Sequence, residues 1–277
     1  MNNKPTRSHR LLKLAAFIIS AILMLHIVAE NTLLLNIRRE KLGKGVKILH
    51  ISDLHFRTFG KNNSRLLRAT EQEAPDLIFI TGDLVSRDET DFTEAESLLN
   101  RLCDIAPVYM VCGNHEQSLP GAYRREFLEM VGRTKAEMLI NRSCAVTVNG
   151  RELNICGVQQ RYSTYKKNGS YRDLDDFTLP QMKELLGECP GGEVLLLAHN
   201  PKWGEVYSEW GADYTFSGHI HGGSVRLLGV GILSPERKFF PRYSKGVYEI
   251  GEMKLLVSAG LGKLRAFDTP ELVVYEI

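Results

Sequence analysis

One recurring unit constrains this chain most: a short apolar run that stops abruptly at Asp, His or Asn. Residues 46–51 end at Ser52-Asp53-Leu54-His55, and residues 77–80 end at Thr81-Gly82-Asp83. Residues 108–112 end at Gly113-Asn114-His115-Glu116, residues 194–198 at His199-Asn200-Pro201, and residues 214–216 at Ser217-Gly218-His219-Ile220-His221-Gly222-Gly223. Runs of this length, rich in Val and Ile and stopped by Gly or Pro, read as buried strands. Amphipathic stretches of helical length lie between them, at 63–73 and 93–103. Strand and helix in alternation predict an α/β core with parallel strands and right-handed crossovers. Such sheets bind ligands at the carboxyl ends of their strands, where this chain carries its Asp, Asn and His. A hydrophobic core does not require that placement. The C-terminal stretch reads instead as hairpins, with segments at 247–250, 254–258 and 272–277, and predicts a second sheet packed on the first.

Residues 11–29 read LLKLAAFIISAILMLHIVA. About 20 apolar residues cross a hydrocarbon core as a helix. Lys13 can snorkel to the headgroups and His26 can stay neutral, so neither forbids insertion. A buried soluble helix and a cleaved signal peptide fit the same composition. The residues that follow, His26-Ile27-Val28-Ala29-Glu30-Asn31, show no A-x-A pattern, and the stretch reads as a single signal anchor. It separates a tail at 1–10 from one domain at 31–277, in which no repeat, low-complexity tract or long linker occurs. Lys4, Arg7, Arg10 and Lys13 precede or open the span, whereas Glu30 and Asn31 follow it. The positive-inside rule then predicts a single-pass protein of the cell membrane with its domain outside the cytoplasm.

Those four cations account for the faint basicity. Of 35 Lys and Arg, 31 remain after residue 13, against 33 Asp and Glu. A nucleic-acid-binding domain carries a concentrated basic face, so no nucleic-acid partner is expected. The five cysteines show no C-x-x-C spacing, which argues against a structural zinc site. Cys112 and Cys156 sit in apolar runs, and mostly unpaired, inert thiols are expected.

The chemistry gathers in the residues past the strands: Asp53, His55, Asp83, Asn114, His115, His199, His219 and His221. Five of the eight histidines belong to this set. His9, His26 and His50 read as structurally neutral. In Asp-x-His and His-x-His, two donors at i and i+2 point to one side of an extended segment and can chelate together. Carboxylate, amide oxygen and imidazole suit borderline divalent ions such as Mn, Fe, Zn, Co or Ni. Seven donors exceed what one ion takes, and two ions sharing a carboxylate fit the number. The glycines at 82, 113, 218, 222 and 223 permit tight turns that bring backbone close to ions and phosphate. A lone D-x-H or G-D is common by chance, but the ordered set is not.

That ordered set, Asp53-x-His55, Gly82-Asp83, Gly113-Asn114-His115-Glu116, His199 and Gly218-His219-x-His221, resembles the calcineurin-like metallophosphoesterase superfamily. With the N-terminal anchor, it is similar to the membrane-associated bacterial branch. That branch includes YkuE-type phosphoesterases and relatives that cleave the pyrophosphate of UDP-2,3-diacylglucosamine. The resemblance spans roughly residues 31–277 and implies a four-layer α/β/β/α sandwich after one transmembrane helix. It implies one ion held by Asp53, His55, Asp83 and His221, and a second by Asp83, Asn114, His199 and His219. It also implies that His115 faces the substrate. The reaction expected of such a centre is in-line attack of a metal-bridging hydroxide on phosphorus. His115, ordinarily titrating near about 6.5, would then protonate or steady the leaving oxygen.

The substrate is less legible. Segment 159–176 holds Arg161, Tyr162, Tyr165, Lys166, Lys167, Tyr171 and Arg172, and segment 235–245 holds Arg237, Lys238, Phe239, Phe240, Arg242 and Lys245. Arg161, Arg237 and Lys238 are candidate substrate contacts, able to hold a second phosphate. The paired Phe would suit an acyl chain or a membrane surface, and a solvated loop is the plainer reading of both segments. Gly260-Leu261-Gly262-Lys263-Leu264-Arg265 is shorter than the Gly-rich segment of many relatives, a difference expected to bear on substrate choice. The leading expectation is a two-metal phosphoesterase or pyrophosphatase acting on a phosphorylated small molecule or a lipid-linked substrate. A nuclease or nucleotide phosphodiesterase of the same superfamily and a non-catalytic metal-binding membrane protein are the alternatives.

Overall fold

The structure is a computed structural model that describes residues 7–167, 169–170, 173–263 and 265–277. Lys4, Tyr171, Arg172 and Leu264, named above, lie outside the described residues. In chain order the elements are α1 (Arg7–Thr32), β1 (Asn36–Lys41), β2 (Lys47–Ile51), α2 (Ser64–Glu73), β3 (Leu77–Ile80), α3 (Thr93–Cys103) and β4 (Val108–Met110). Then come α4 (Asn114–Ser118), α5 (Gly121–Arg133), β5 (Glu137–Met138), β6 (Arg142–Val148), β7 (Arg151–Val158) and α6 (Leu179–Leu186). The remainder is β8 (Glu193–Ala198), α7 (Gly204–Trp210), β9 (Tyr214–Ser217), β10 (Arg226–Leu227), β11 (Val230–Gly231), β12 (Gly246–Ile250), β13 (Met253–Val257) and β14 (Glu271–Glu276).

Two six-stranded sheets result, ordered β1-β14-β2-β3-β4-β5 and β12-β13-β9-β8-β7-β6. Strands β2 to β5 run parallel in the first, and β7, β8, β9 and β13 run parallel in the second. Their apolar runs are unbroken because both faces of each sheet are covered. In β3, Leu77 and Phe79 point into the space between the sheets while Ile78 and Ile80 point at the outer helices. In β8, Leu195 and Leu197 face the first sheet and Leu196 and Ala198 face outward. Side chains alternate along a strand, so one run of four residues feeds two separate cores.

The outer layers follow from helical periodicity. Ala95, Leu98, Leu99 and Leu102 recur at i, i+3, i+4 and i+7 and lay α3 on the first sheet beside Leu66 and Leu67 of α2. Met182 of α6, with Tyr207 and Trp210 of α7, covers the second sheet. Each fully buried Leu or Phe contributes about 1.5–3 kcal/mol over its exposed state. Helix, sheet, sheet, helix is the four-layer sandwich expected.

The C-terminal reading needs one correction. β12 and β13 do form the expected hairpin on the second sheet. The last strand leaves them: β14 inserts in the first sheet, parallel to β1 and antiparallel to β2. Its Val273 and Tyr275 are needed between the sheets and its Leu272 and Val274 beneath the helices, a two-sided demand that an edge hairpin would not meet. β1, polar along its length, escaped the apolar pattern altogether. The five cysteines are free.

Helix α1 is apolar and long enough to cross a membrane, and none of its apolar window is buried in the protein. Its last turn is fastened to the domain. The buried Glu30 accepts the Phe267 N–H at 2.7 Å, and Asn31 exchanges bonds with the Arg265 backbone at 2.8 and 3.2 Å. Arg57 donates to the Glu30 carbonyl at 2.8 Å.

Candidate metal centre

The parallel strands deliver their polar ends to one spot. β2 leads to Asp53 and His55, β3 to Asp83, β4 to Asn114 and His115, β8 to His199, and β9 to His219 and His221. The two-residue pairs do not work as expected, however. Asp53, His55, His219 and His221 lie past the strand ends with φ of 51°, 49°, 67° and 53°, and Asp83 has φ 51°. These are left-handed conformations, uncommon for residues other than glycine, better tolerated by Asp and His than by most, and typical of functional sites. The donors at 53, 55, 83, 219 and 221 converge because the backbone turns sharply under each, not because an extended segment alternates.

Three overlapping groups of acidic and imidazole donors result: Asp53, His55 and His221; His55, Asp83 and His115; and Asp83, His199 and His219. Asp83 Oδ2 lies 3.7 Å from His55 Nε2 and 3.4 Å from His199 Nε2, so it stands between the two halves. Asp53 Oδ1 is 3.7 Å from His221 Nε2. Asn114 Oδ1 and His219 Nδ1 each lie 3.1 Å from His199 Nε2.

Outer partners aim these donors. His199 Nδ1 meets the Thr81 carbonyl at 2.7 Å, which puts its proton there and turns the Nε2 lone pair inward. His219 Nε2 meets Glu236 Oε1 at 2.6 Å and so offers Nδ1 inward. Asp53 accepts the Ser52 hydroxyl at 2.6 Å, Ser52 accepts that of Thr81 at 2.9 Å, and Thr81 Oγ1 contacts His50 Nε2 at 2.7 Å. His50, read above as neutral, thus ends a buried chain that orients Asp53. Glu116 accepts three backbone N–H groups, from Asp83 at 2.9 Å, Val85 at 3.0 Å and Gly113 at 2.7 Å. It ties the two central turns together. Two glycines are obligatory for closeness: a methyl on Gly113 would lie 2.7 Å from Asp83 N, and one on Gly218 would lie 2.8 Å from Ser52 Cβ.

The electrostatics belong to a cation site. Burial alone would raise Asp53 and Asp83, yet the surrounding histidines hold both below the usual carboxylate range. Burial would lower His199, but the Asp83 carboxylate overrides it and drives the imidazole up to about 10. Its Nε2 faces Asp83 Oδ2 and Asn114 Oδ1, which draw a positive charge to that place, either a proton on Nε2 or a metal ion in its stead. Burial holds His221 down at about 3 and His115 at about 4, and both therefore keep lone pairs. Buried His55 Nε2 and His221 Nδ1 have no hydrogen-bond partner. Imidazole and carboxylate donors gathered within reach of one another, with unpartnered nitrogens on His55 and His221, fit divalent metal ions. Burial also pushes Glu116 up to about 7, against three N–H donors that favour its ionised form.

A cleft of about 430 Å³ opens over the centre, lined by Asp83, Asn114, His115, Tyr165, His219 and His221 with Arg87 and Arg237. A second cleft of about 440 Å³ adjoins it through Leu174 and Glu236 and carries Lys238. Of the three basic candidates, Arg237 reaches the first cleft and Lys238 the second, paired to Asp173 at 2.8 Å. Arg161 lines neither and pairs with Glu184 at 3.1 Å on an exposed face. Gly262 packs closely on the metal residues: a methyl there would press Asp53 O at 2.9 Å and His55 Cδ2 at 3.0 Å.

Sequence reasoning missed Arg87, Tyr165 as a cleft residue, Glu116 and Glu236. Arg87 grips His115 from two sides, its backbone N–H on Nδ1 at 3.1 Å and its guanidinium 2.8 Å from Nε2. Tyr165 is buried edge-on to His219 at 5.5 Å, with an unpartnered hydroxyl. Glu116 alone left a signal, a Glu three residues after the glycine that caps α4, half of a capping box.

The sequence model of the family described as "Calcineurin-like phosphoesterase" matches residues 46–223. Phosphodiesterase YaeI of Escherichia coli strain K12 is 26% identical, over 83% of this chain and 82% of that protein. UDP-2,3-diacylglucosamine pyrophosphatase LpxG of Chlamydia muridarum is 24% identical, over 83% of each chain. Among solved structures, a 5'-nucleotidase precursor from Thermus thermophilus superposes with a TM-score of 0.50 at 16% identity, over 78% of this chain and 49% of that one.

Proposed function

The chain belongs to the calcineurin-like phosphoesterase family and is a metal-dependent phosphoester hydrolase, and from that premise we propose that it works with two divalent ions on a membrane- or cell-wall-associated phosphate ester or pyrophosphate. The observation that carries this reading is the place of Asp83, whose carboxylate stands between His55, which groups with Asp53 and His221, and His199, which groups with His219. Asp53, His55 and His221 would hold one ion, Asn114, His199 and His219 the other, and Asp83 both. When bound, such ions supply an acidified water and neutralise charge on phosphoryl oxygens.

The chain's own residues do the rest. Thr81 and Glu236 fix the tautomers of His199 and His219, so the donors are set before any ion arrives. His115 faces the cleft beside Asp83, held by Arg87, where it would steady the charge developing on the leaving oxygen, or protonate that oxygen once the ring has itself taken up a proton. Arg87 and Arg237 on the cleft wall would take the non-reacting phosphoryl oxygens, for which a guanidinium fork is well matched. The adjoining cleft would receive the leaving group. The anchored domain would face the outer side of the cell membrane, as the cations ahead of the apolar span favour, and the likeness to a UDP-2,3-diacylglucosamine pyrophosphatase supports a lipid-linked substrate.

The test is hydrolysis of p-nitrophenyl phosphate and bis-p-nitrophenyl phosphate by the full chain with Mn, Zn and Fe supplied separately, beside Asp83→Ala. Metal-dependent turnover that disappears in the variant is expected, with about two ions bound per chain. A chain that binds no metal would sink the reading.

A further inference from the structure

Among the described residues, every exposed large apolar side chain lies in one of two places: residues 11–33, or residues 225–240 with Phe267. The second group centres on the β10–β11 hairpin, where Leu227, Leu228 and Val230 are 57%, 96% and 51% exposed, and on Phe239 and Phe240, 72% and 65% exposed with rings 6.4 Å apart. Leu228 occupies the hairpin tip at φ 50°, before Gly229 at φ 82°. Asn, Asp or Gly is the economical choice in such a turn, and a bulky residue at positive φ is uncommon. Phe240 also has a positive φ, of 54°. No packing in the fold rewards these side chains.

The two apolar groups are continuous. The Arg226 N–H bonds the Ala266 carbonyl at 2.9 Å, the next residue bonds Glu30 of α1, and the Phe267 ring stacks on His26 at 6.1 Å. The Phe240 N–H bonds Ile232 O and the Ile232 N–H bonds Val225 O, so the two Phe ride on the base of the same hairpin. Charge follows suit. Residues 222–242 include Arg226, Arg237, Lys238 and Arg242 but one acid, Glu236, which is buried against His219; Lys238 pairs with Asp173 and Arg242 with Glu205, while Arg226 bonds the hairpin backbone at Gly222 and Gly229. An apolar tip with Arg226 at its base is complementary to anionic headgroups over acyl chains.

We propose that residues 225–240 are a second membrane contact, a wedge that dips into the lipid interface where α1 enters the bilayer. The occupant of this face is the lipid surface itself. The same loop sends Pro235, Glu236 and Arg237 to the wall of the metal cleft. With α1 fastened rather than tethered, the wedge holds the cleft mouth at headgroup level, where a lipid-borne phosphate reaches the metals without leaving the membrane.

The wedge rests on the reading of α1 as a membrane anchor, and the test separates the two. The full chain is reconstituted in phosphatidylethanolamine–phosphatidylglycerol vesicles with plain or brominated acyl chains. Leu228→Trp and Phe240→Trp report on the wedge. Glu188→Trp, at the opposite end of the strands, is the comparison, and the native Trp203 and Trp210 are 5% and 4% exposed. Brominated lipid should quench the added fluorescence at 228 and 240 about twofold or more and leave 188 unchanged, as expected for groups about 5–10 Å into the interface. Adding Leu228→Asp to Phe240→Trp should halve that quenching, while hydrolysis of bis-p-nitrophenyl phosphate stays as it was because Asp tolerates the left-handed turn. A chain that floats with the vesicles yet shows no quenching at 228 and 240 overturns the wedge and leaves the anchor. Equal quenching at all three positions overturns it too, as does emission that responds to protein concentration instead of lipid, which would mean a second copy covers the face. A chain that does not float at all overturns the anchor reading.

Discussion

Gly113→Ala should disable the centre without replacing a single metal donor. The alanine methyl would sit 2.7 Å from Asp83 N and 2.8 Å from Asp83 Cγ, and closer still to its Oδ1, whereas ordinary contact begins at 3.4 Å. The Asp83 backbone must therefore retreat by about 0.7 Å, the difference between 3.4 and 2.7 Å, and its carboxylate by more, or the turn at 113 must open. Neither is free, because Glu116 binds both Asp83 N and Gly113 N. Overpacking of this kind costs about 1–3 kcal/mol, and about 2–4 °C of Tm is lost per kcal/mol in a chain of this size. The larger effect is on rate, since misplacement by about 1 Å costs on the order of 100-fold. Gly132→Ala is the matched comparison: it lies inside α5 with nothing within 4 Å of an added methyl. Removing a helical glycine there should stabilise by about 0.5–1 kcal/mol and leave the rate alone. Diester hydrolysis, bound metal and Tm measured on both variants decide the matter. If Gly113→Ala keeps wild-type rate and Tm, the position of Asp83 is not set by that contact and the steric reasoning fails.

Other expectations follow from the same site. His115→Ala should cut turnover by about 10²–10⁴ while metal content, read by elemental analysis, stays at the wild-type level; unchanged turnover removes His115 from the reaction, and lost metal makes it a ligand. Chelation should abolish hydrolysis and lower Tm, because ions at about 100 times their Kd add about 2.7 kcal/mol to the folded state; an unchanged Tm would mean the donors hold nothing. Acid should weaken the β1–β14 edge. Burial would raise the Glu271 carboxyl, but Arg38 at 3.1 Å and Lys245 at 2.9 Å hold it below its ordinary value of 4.5. Its contribution is complete above that value and is lost as the pH falls through the lower folded one. Glu271→Gln should therefore flatten the acid limb of a Tm-versus-pH curve, and an unaltered limb would assign the acid loss to other groups.

The sequence by itself determined which chemistry is present and which end of the sheets carries it. Apolar runs at 77–80 and 194–198 coincide with β3 and β8 to within a residue, because strands buried on both faces leave an unbroken apolar record. Asp53, His55, Asp83, Asn114, His115, His199, His219 and His221 announced themselves by following such runs. Helix α3 at 93–103 was equally plain from its i, i+3, i+4, i+7 spacing. Only the tertiary structure decided the rest. The insertion of β14 between β1 and β2 joins residues more than two hundred positions apart, and no local pattern encodes a partner so distant. The aim of each donor was likewise invisible. Glu236 reaches His219 from a loop with no periodicity, Thr81 holds His199 through a backbone carbonyl that every residue possesses, and the pinch of Gly113 on Asp83 exists only once two strand ends meet. Residue type fixes what a side chain can bind, and that is local. Where its lone pair points depends on neighbours that only folding brings within reach.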